Sequence, residues 1–194
     1  MTHVAIFNNK PCIKDPTLAA SNYCIIRSNS EKDSTMKTFN IGSDRILHLA
    51  KNNEITIRDK VTKKAAVFTP SRWASFLQCV DEIDHQLGRL TSGEDVGYCM
   101  HYGAAWHVSL TNDFCCIDLR KFYMPFGQTL WKPTKEGITL RLREWPMFKE
   151  AVNKLHRDNP TVANFRPCFL NLDHATPELI AECSECSPYR SPFA

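Results

Sequence analysis

The chain has 194 residues, of which 43% are hydrophobic and 23% are charged. This length and apolar content suffice for a hydrophobic core, so the composition excludes a small disulfide-stapled peptide and a mainly disordered chain. The formal net charge is only +3, but residues 58–72 carry a net +4 and residues 120–143 a net +5, which makes two local basic blocks that the total conceals.

The N-terminal part has two strand-like runs, at 3–7 and 23–27, followed by a polar linker at 28–34. Its first residues lack the basic-then-apolar pattern of a signal peptide, and no run in the chain approaches the ~18 apolar residues that cross a membrane. We therefore expect an intracellular protein without membrane association. Its nine cysteines are then expected to be reduced or metal-bound rather than paired in disulfides.

The middle of the chain contains two similar stretches. Ile55–Arg58 is an alternating run that ends in arginine, and Ile117–Arg120 repeats it 62 residues later. Trp73 begins an apolar stripe with helical spacing that Trp145 repeats at an offset of 72. We interpret this pattern as a duplication with about ten extra residues in the second copy. The chain then divides into an N-terminal segment, a first repeat, a linker, a second repeat and a cysteine-containing tail (1–36, 37–90, 91–98, 99–160 and 161–194).

Each repeat is predicted to form three or four strands and then one helix. In the first repeat, Thr69 and Pro70 are typical of a helix N-cap and first helical position. The apolar stripe from Trp73 to Leu87 predicts one continuous helix that Gly88 ends. In the second repeat the helix is predicted from about Arg143 to His156. The aromatic residues of both stripes are predicted to be buried.

Both repeats resemble one known family. The second repeat carries an Ile-Asp-Leu-Arg-Lys-Phe-Tyr strand and then a Lys-Pro-Thr-Lys-Glu-Gly-Ile-Thr-Leu segment that leads to a tryptophan. This order and spacing resembles the C-terminal domain of the transcriptional coactivator positive cofactor four (p15). The first repeat resembles it through a shorter set of residues: Phe39–Gly42, Arg45, Ile57–Arg58, Lys63–Lys64 and Thr69–Pro70, followed by Trp73.

The resemblance implies an α+β fold of two tandem units, each a curved antiparallel β-sheet followed by one helix. The units would pair as an intramolecular pseudo-dimer in which the two apolar stripes cover each other, with further association left open. It implies a nuclear coactivator that binds single-stranded or melted DNA without base specificity, requires no cofactor and is not an enzyme. Phosphate-loop, zinc-protease and nucleophile-elbow motifs are absent from the sequence.

The implied binding residues combine cations for phosphates with aromatic rings for bases. They are Arg120, Phe122, Tyr123, Trp131, Lys132 and Lys135 in the second repeat, and Arg58, Lys63 and Lys64 in the first. Strand alternation places Arg120 and Phe122 on one face and Tyr123 on the other. We expect Tyr123, at the position of the family's stacking tryptophan, to stack on a base, while Phe122 is either a core residue or a contact.

The first repeat has Lys60 and Val61 in place of the aromatic pair, so we expect it to add charge rather than stacking. This departure favours one alternative, a protein-interaction adaptor that kept the fold and recruits transcription or replication proteins. A second alternative is a single-stranded RNA binder, because phosphate and stacking contacts serve both polymers.

The tail offers three thiols and one imidazole, from Cys168, His174, Cys183 and Cys186. This set matches the ligands of a tetrahedral structural zinc, and the two-residue spacing between the last two cysteines is usual in zinc knuckles. Reduced cysteines without a metal are the alternative. A short helix is predicted at Pro177–Glu182.

Overall fold

The computed structural model describes residues 37–171, residue 174 and residues 176–187. The strands predicted at 3–7 and 23–27 and the linker at 28–34 lie outside these residues. The described part is mixed α+β, with two four-stranded antiparallel sheets and several helices.

The strands of the first sheet follow one another in chain order. They are β1 (Lys37–Ile41), β2 (Arg45–Leu49), β3 (Ile55–Asp59) and β4 (Ala65–Phe68). Side chains alternate between buried and exposed along each strand, since successive residues of a strand point to opposite faces. Leu47, Ile55 and Ile57 are fully buried, so one face of this sheet belongs to the core.

Two helices, α1 (Pro70–Leu77) and α2 (Val80–Thr91), follow the first sheet. The N-cap prediction is confirmed, because Thr69 Oγ1 accepts a hydrogen bond from the Arg72 amide at 3.2 Å. The prediction of a single continuous helix was wrong. The helix is interrupted at residues 78–79, where the Cys79 amide donates a hydrogen bond to the Phe76 carbonyl three residues back. Gly88 was also wrong as the helix end. The helix continues through Gly88 to Thr91. Gly93, which follows it, has a left-handed backbone at φ +83°, the conformation that glycine commonly adopts after a helix.

The second sheet has the same strand order with longer strands. They are β5 (Gly97–Gly103), β6 (Trp106–Thr111), β7 (Phe114–Tyr123) and β8 (Lys132–Arg141). Leu47 pairs with Ile57 across the first sheet, and Val108 pairs with Leu119 across the second. The paired positions are therefore 61 residues apart between β2 and β6 and 62 residues apart between β3 and β7, and the second value is the offset seen in the sequence.

The remaining elements are α3 (Glu144–Asp158), α4 (Pro160–Ala163), a 3-10 helix (Cys168–Leu170) and α5 (Pro177–Glu182). The prediction of α3 is confirmed to within two residues, and that of α5 is confirmed at both ends. Among the described helices, none has both the length and the apolar composition needed to cross a bilayer.

One hydrophobic core includes side chains from both sheets. Helix α3 contacts β1 of the first sheet as well as β8, and α1 contacts β5 of the second sheet as well as β4. The predicted burial of Trp73, Phe76, Trp145 and Phe148 is confirmed. The ring centroid of Phe148 lies 6.3 Å from that of Trp73 and 5.9 Å from that of Phe76. Each helix therefore helps to cover the sheet of the other half.

Candidate nucleic-acid interface

The candidate interface is the face of the second sheet that points away from the core. Along β7, Ile117 and Leu119 point into the core and are fully buried. Asp118, Arg120 and Phe122 point the other way and line an open groove of about 550 Å³. The sheet thus presents polar, charged and aromatic side chains together on one surface.

The Arg120 guanidinium is fixed by its neighbours within this groove. Its Nε lies 2.8 Å from Asp118 Oδ2, its Nη2 lies 3.2 Å from Asp118 Oδ1, and its Nη1 donates to the Thr134 carbonyl at 2.8 Å. The hydrogen bonds that Arg120 donates to the Asp118 carboxylate raise the pKa of Arg120. Arginine has five N–H donors, so these contacts leave two for a further anion. The side chain is therefore positioned in advance, although Asp118 offsets part of its charge.

An aromatic row lies beside Arg120. The ring centroid of His107 is 4.9 Å from that of Phe122, 5.8 Å from that of Trp131 and 5.2 Å from that of His101. His107 also faces Arg120 across the β6–β7 pairing. The structure thus brings together Phe122 and Trp131, two of the predicted contacts, through a histidine that the sequence analysis missed.

Both histidines of this row have a pKa below the ordinary value of histidine. Burial lowers the pKa of His107, against the opposing effect of the hydrogen bond between its Nδ1 and the Ala105 carbonyl. Burial and the nearby His107 lower the pKa of His101 to about 4. The positive charge of the interface at neutral pH therefore comes from lysine and arginine.

The hairpin between β7 and β8 carries the other predicted contacts. Tyr123 is 42% exposed and pairs with Lys132 at the base of the hairpin. Lys132 and Lys135 are both exposed. At the loop, Phe126 and Leu130 are largely exposed as well. The hairpin therefore presents a phenol ring, two ammonium groups and two apolar side chains to solvent.

A smaller cleft of about 160 Å³ lies between the two sheets beside Arg120. Arg120 lines it from the second sheet, and Lys64 lines it from the first, together with the ion-paired Arg45 and Asp59. Arg45 also donates from Nε to the Thr139 carbonyl of β8 at 3.3 Å. One predicted cation of the first repeat thus lines the same cleft as the arginine of the second.

The other cations of the first repeat have different surroundings. Lys63 lies in the β3–β4 turn with a left-handed backbone, and its Nζ donates to the Lys60 carbonyl at 2.7 Å. Arg58 is exposed on β3 but is not among the residues that line the cleft. Val61, at the position of an aromatic residue in the second repeat, is exposed. This hairpin offers charge and no exposed aromatic ring.

Two further exposed aromatic residues were missed by the sequence analysis. Phe114 lines the groove at the start of β7, and Phe126 lies on the hairpin loop. The signal for Phe126 was present, because an aromatic residue between proline and glycine in a turn has little chance of reaching the core. Phe114 had no such signal, since alternation alone does not tell which strand ends extend past the core.

The tail residues proposed as metal ligands also come together. The ligand atoms of Cys168, His174, Cys183 and Cys186 all lie within 4.8 Å of one another. This cluster is separate from the groove, because none of its members is among the residues that line the groove.

Comparisons with known proteins locate one recognisable domain. Among curated proteins and among solved structures, none matches this chain. Residues 108–151 match the family model described as Transcriptional Coactivator p15 (PC4). This stretch runs from β6 to α3 and contains Arg120, Phe122 and the whole β7–β8 hairpin. Residues 108–151 are therefore a domain of the p15 coactivator family.

Proposed function

We propose that this protein is a DNA-binding, coactivator-like protein of the nucleus that binds single-stranded or melted DNA without base specificity and has no catalytic activity. One observation carries the proposal: within the p15 family domain, one open groove and its hairpin carry cations together with aromatic rings. Sequence-independent binding of single strands needs this combination.

The phosphate contacts are assigned to Arg120, Lys132 and Lys135. The exposed lysines attract the phosphate backbone as point charges, while the guanidinium of Arg120, already held in place, is suited to two oxygens of one phosphate. Lys64 extends this positive surface across the cleft between the sheets. A strand that follows these cations would cross from one hairpin toward the other.

The base contacts are assigned to Tyr123 and Trp131. Tyr123 has an exposed ring beside Lys132, so a base stacked on it would keep its phosphate close to an ammonium group. Phe122 already has its ring packed against His107 and contributes to the wall of the groove. A stacked base is worth about 1–3 kcal/mol, so these two rings would supply a large part of the affinity.

We further propose that the two sheets are tandem copies of one unit and form a pseudo-dimer. Three features support this: the shared strand order, the matched pairing offsets of 61 and 62, and the exchange of helix contacts between the halves. The first copy would supply Lys64, Arg58 and Lys63 as charge and also serve as scaffold. Binding would then be asymmetric, with the second copy contacting the bases.

The test is fluorescence anisotropy of the full chain with a labelled single-stranded oligonucleotide over a series of salt concentrations. A Lys132→Gln/Lys135→Gln variant should bind more weakly and reduce the slope of log K against log salt by about 1.4, because each phosphate contact on a single strand contributes about 0.7. A Lys51→Gln/Arg166→Gln variant removes the same charge from exposed positions outside the basic blocks. It should keep the wild-type slope, and an equal loss in both variants would contradict the proposed interface.

The adaptor alternative has one supporting observation of its own. A mainly apolar groove of about 580 Å³ lies between α1, β5 and the C-terminal segment, with Met100, Phe169 and Ile180 in its lining. If the full chain binds no oligonucleotide of DNA or RNA at low salt, this groove becomes the preferred site for a protein partner.

A further inference from the structure

The C-terminal segment carries a compact cluster of soft ligands outside the proposed nucleic-acid interface. Cys168 Sγ lies 3.6 Å from His174 Nε2 and 3.7 Å from Cys183 Sγ. Cys186 completes a set of four ligand atoms that all lie within 4.8 Å of one another. Four residues from three segments of the C-terminal part therefore place their ligand atoms close together.

The separations of Cys168 from His174 and from Cys183 match two edges of a zinc tetrahedron. With Zn–S of about 2.3 Å and Zn–N of about 2.0–2.1 Å, neighbouring ligands are about 3.8 Å apart for two sulfurs and about 3.6 Å apart for sulfur and nitrogen. A disulfide would need the two sulfurs at about 2.05 Å. The observed geometry therefore fits a shared metal better than a covalent bond between Cys168 and Cys183.

The backbone around Cys183 forms a hydrogen-bonded turn that carries two of the four ligands. The Ser187 amide donates to the Cys183 carbonyl at 2.9 Å and closes this turn. Within it, the Cys186 sulfur lies within 4.8 Å of the Cys183 sulfur. The local fold of the backbone therefore holds two of the ligand atoms together.

The same turn is attached to the rest of the molecule through Glu185, which lies between the two ligands. Its carboxylate accepts hydrogen bonds from Arg72 Nη2 at 2.7 Å and from Thr69 Oγ1 at 2.6 Å, at the start of α1. Its carbonyl accepts from the Ala104 amide at 2.8 Å, in the turn between β5 and β6. The turn therefore contacts the first helix and the second sheet together.

We propose that Cys168, His174, Cys183 and Cys186 bind one zinc ion with tetrahedral geometry, and that this zinc fastens the C-terminal segment to α1 and to the β5–β6 turn. The role is structural, because four protein ligands leave no open position for a substrate. Short segments with little core of their own commonly depend on such a metal.

The first test is the zinc content of the purified full chain, measured by inductively coupled plasma mass spectrometry. Wild type should carry one equivalent of zinc, and Cys183→Ser/Cys186→Ser should lose it. Cys99→Ser/Cys115→Ser, which changes two exposed cysteines outside the cluster, should retain it. Zinc-free wild type that also fails to bind added zinc would overturn the proposal, as would equal loss of metal in both variants.

The second test keeps the proposal falsifiable if the ligand variant does not fold. Cobalt added to the metal-free full chain should give the visible bands of a tetrahedral site with a sulfur-to-metal charge-transfer band. Chelation of the wild type should speed amide exchange at residues 176–187 and at Ala104, and zinc should reverse it. A Cys168–Cys183 disulfide in the metal-free native protein would contradict the proposal. Neither test depends on nucleic-acid binding.

Discussion

The contact between α2 and α3 gives a sharp test of how the two halves are joined. Asp84 on α2 accepts a hydrogen bond from Trp145 Nε1 and another from Lys149 Nζ, each at 2.6 Å. Burial opposes ionisation of Asp84, but these two donors outweigh it and lower the pKa of Asp84. The carboxylate thus links a helix that follows the first sheet to one that follows the second.

The magnitude follows from the surroundings of the two donors. A hydrogen bond to a charged group contributes about 1.5–3 kcal/mol. The Lys149–Asp84 pair is about 40% exposed, so it adds little more than about 0.5 kcal/mol. Asp84→Ala should therefore cost about 2 kcal/mol in free energy of unfolding, equivalent to about 4–8 °C in Tm for a domain of this size.

Urea unfolding followed by circular dichroism measures this loss, with Asp95→Ala as the control. Asp95 is an exposed loop residue, and its change should stay within about 0.5 kcal/mol. A double-mutant cycle of Asp84→Ala with Trp145→Phe should show coupling of more than about 0.5 kcal/mol, because the two residues are in contact. Additive effects in the cycle, or the same loss of stability for Asp84→Ala and Asp95→Ala, would refute a stabilising contact between α2 and α3.

Three further outcomes are expected. Gly137→Ala should destabilise the β7–β8 pairing and weaken DNA binding in the same anisotropy assay. The reason is that Gly137 has φ +155° and an added Cβ would lie 2.6 Å from a carbonyl oxygen of β7. Gly97 has open space around it, so Gly97→Ala should have no such effect. Stability should fall as pH drops from about 6.5 toward 4, since unfolded histidine takes up a proton near 6.5 and His101, buried beside His107, has a pKa of about 4. His101→Phe should flatten that profile in thermal melts at pH 5 and 7. Tyr123→Ala should reduce affinity about 5- to 150-fold, the equivalent of about 1–3 kcal/mol, without changing the salt dependence, and a changed salt slope would argue against stacking.

Most elements of the fold could be predicted from local signals. Thr69 and Pro70 located the start of α1, and the apolar spacing located α3. The break at 78–79 could not be predicted, because the apolar stripe continues through it and no proline or glycine marks it. Gly88 misled the prediction, since a glycine inside a helix costs only about 1 kcal/mol and packing against the core outweighs that cost.

The candidate site could be predicted only in part. Strand alternation was enough to place Phe122 beside Arg120, and it could also have placed Asp118 there, two residues away on the same face. The cleft that Lys64 and Arg120 share could not be predicted, because it depends on how closely the two sheets approach each other. The aromatic row through His107 depends on which residues of β6 and β7 face each other and on where the hairpin places Trp131, and alternation along a single strand gives neither.

The central claim is most directly tested by one competition titration on the full chain. Unlabelled single-stranded DNA, duplex DNA and single-stranded RNA of matched length compete against a labelled single strand at a fixed salt concentration. The proposed interface predicts that single-stranded DNA competes better than duplex by at least about tenfold, because only unpaired bases can stack on Tyr123 and Trp131 for about 1–3 kcal/mol each. Stronger competition by RNA would transfer the assignment to that polymer, and equal competition by duplex and single strand would contradict the claim.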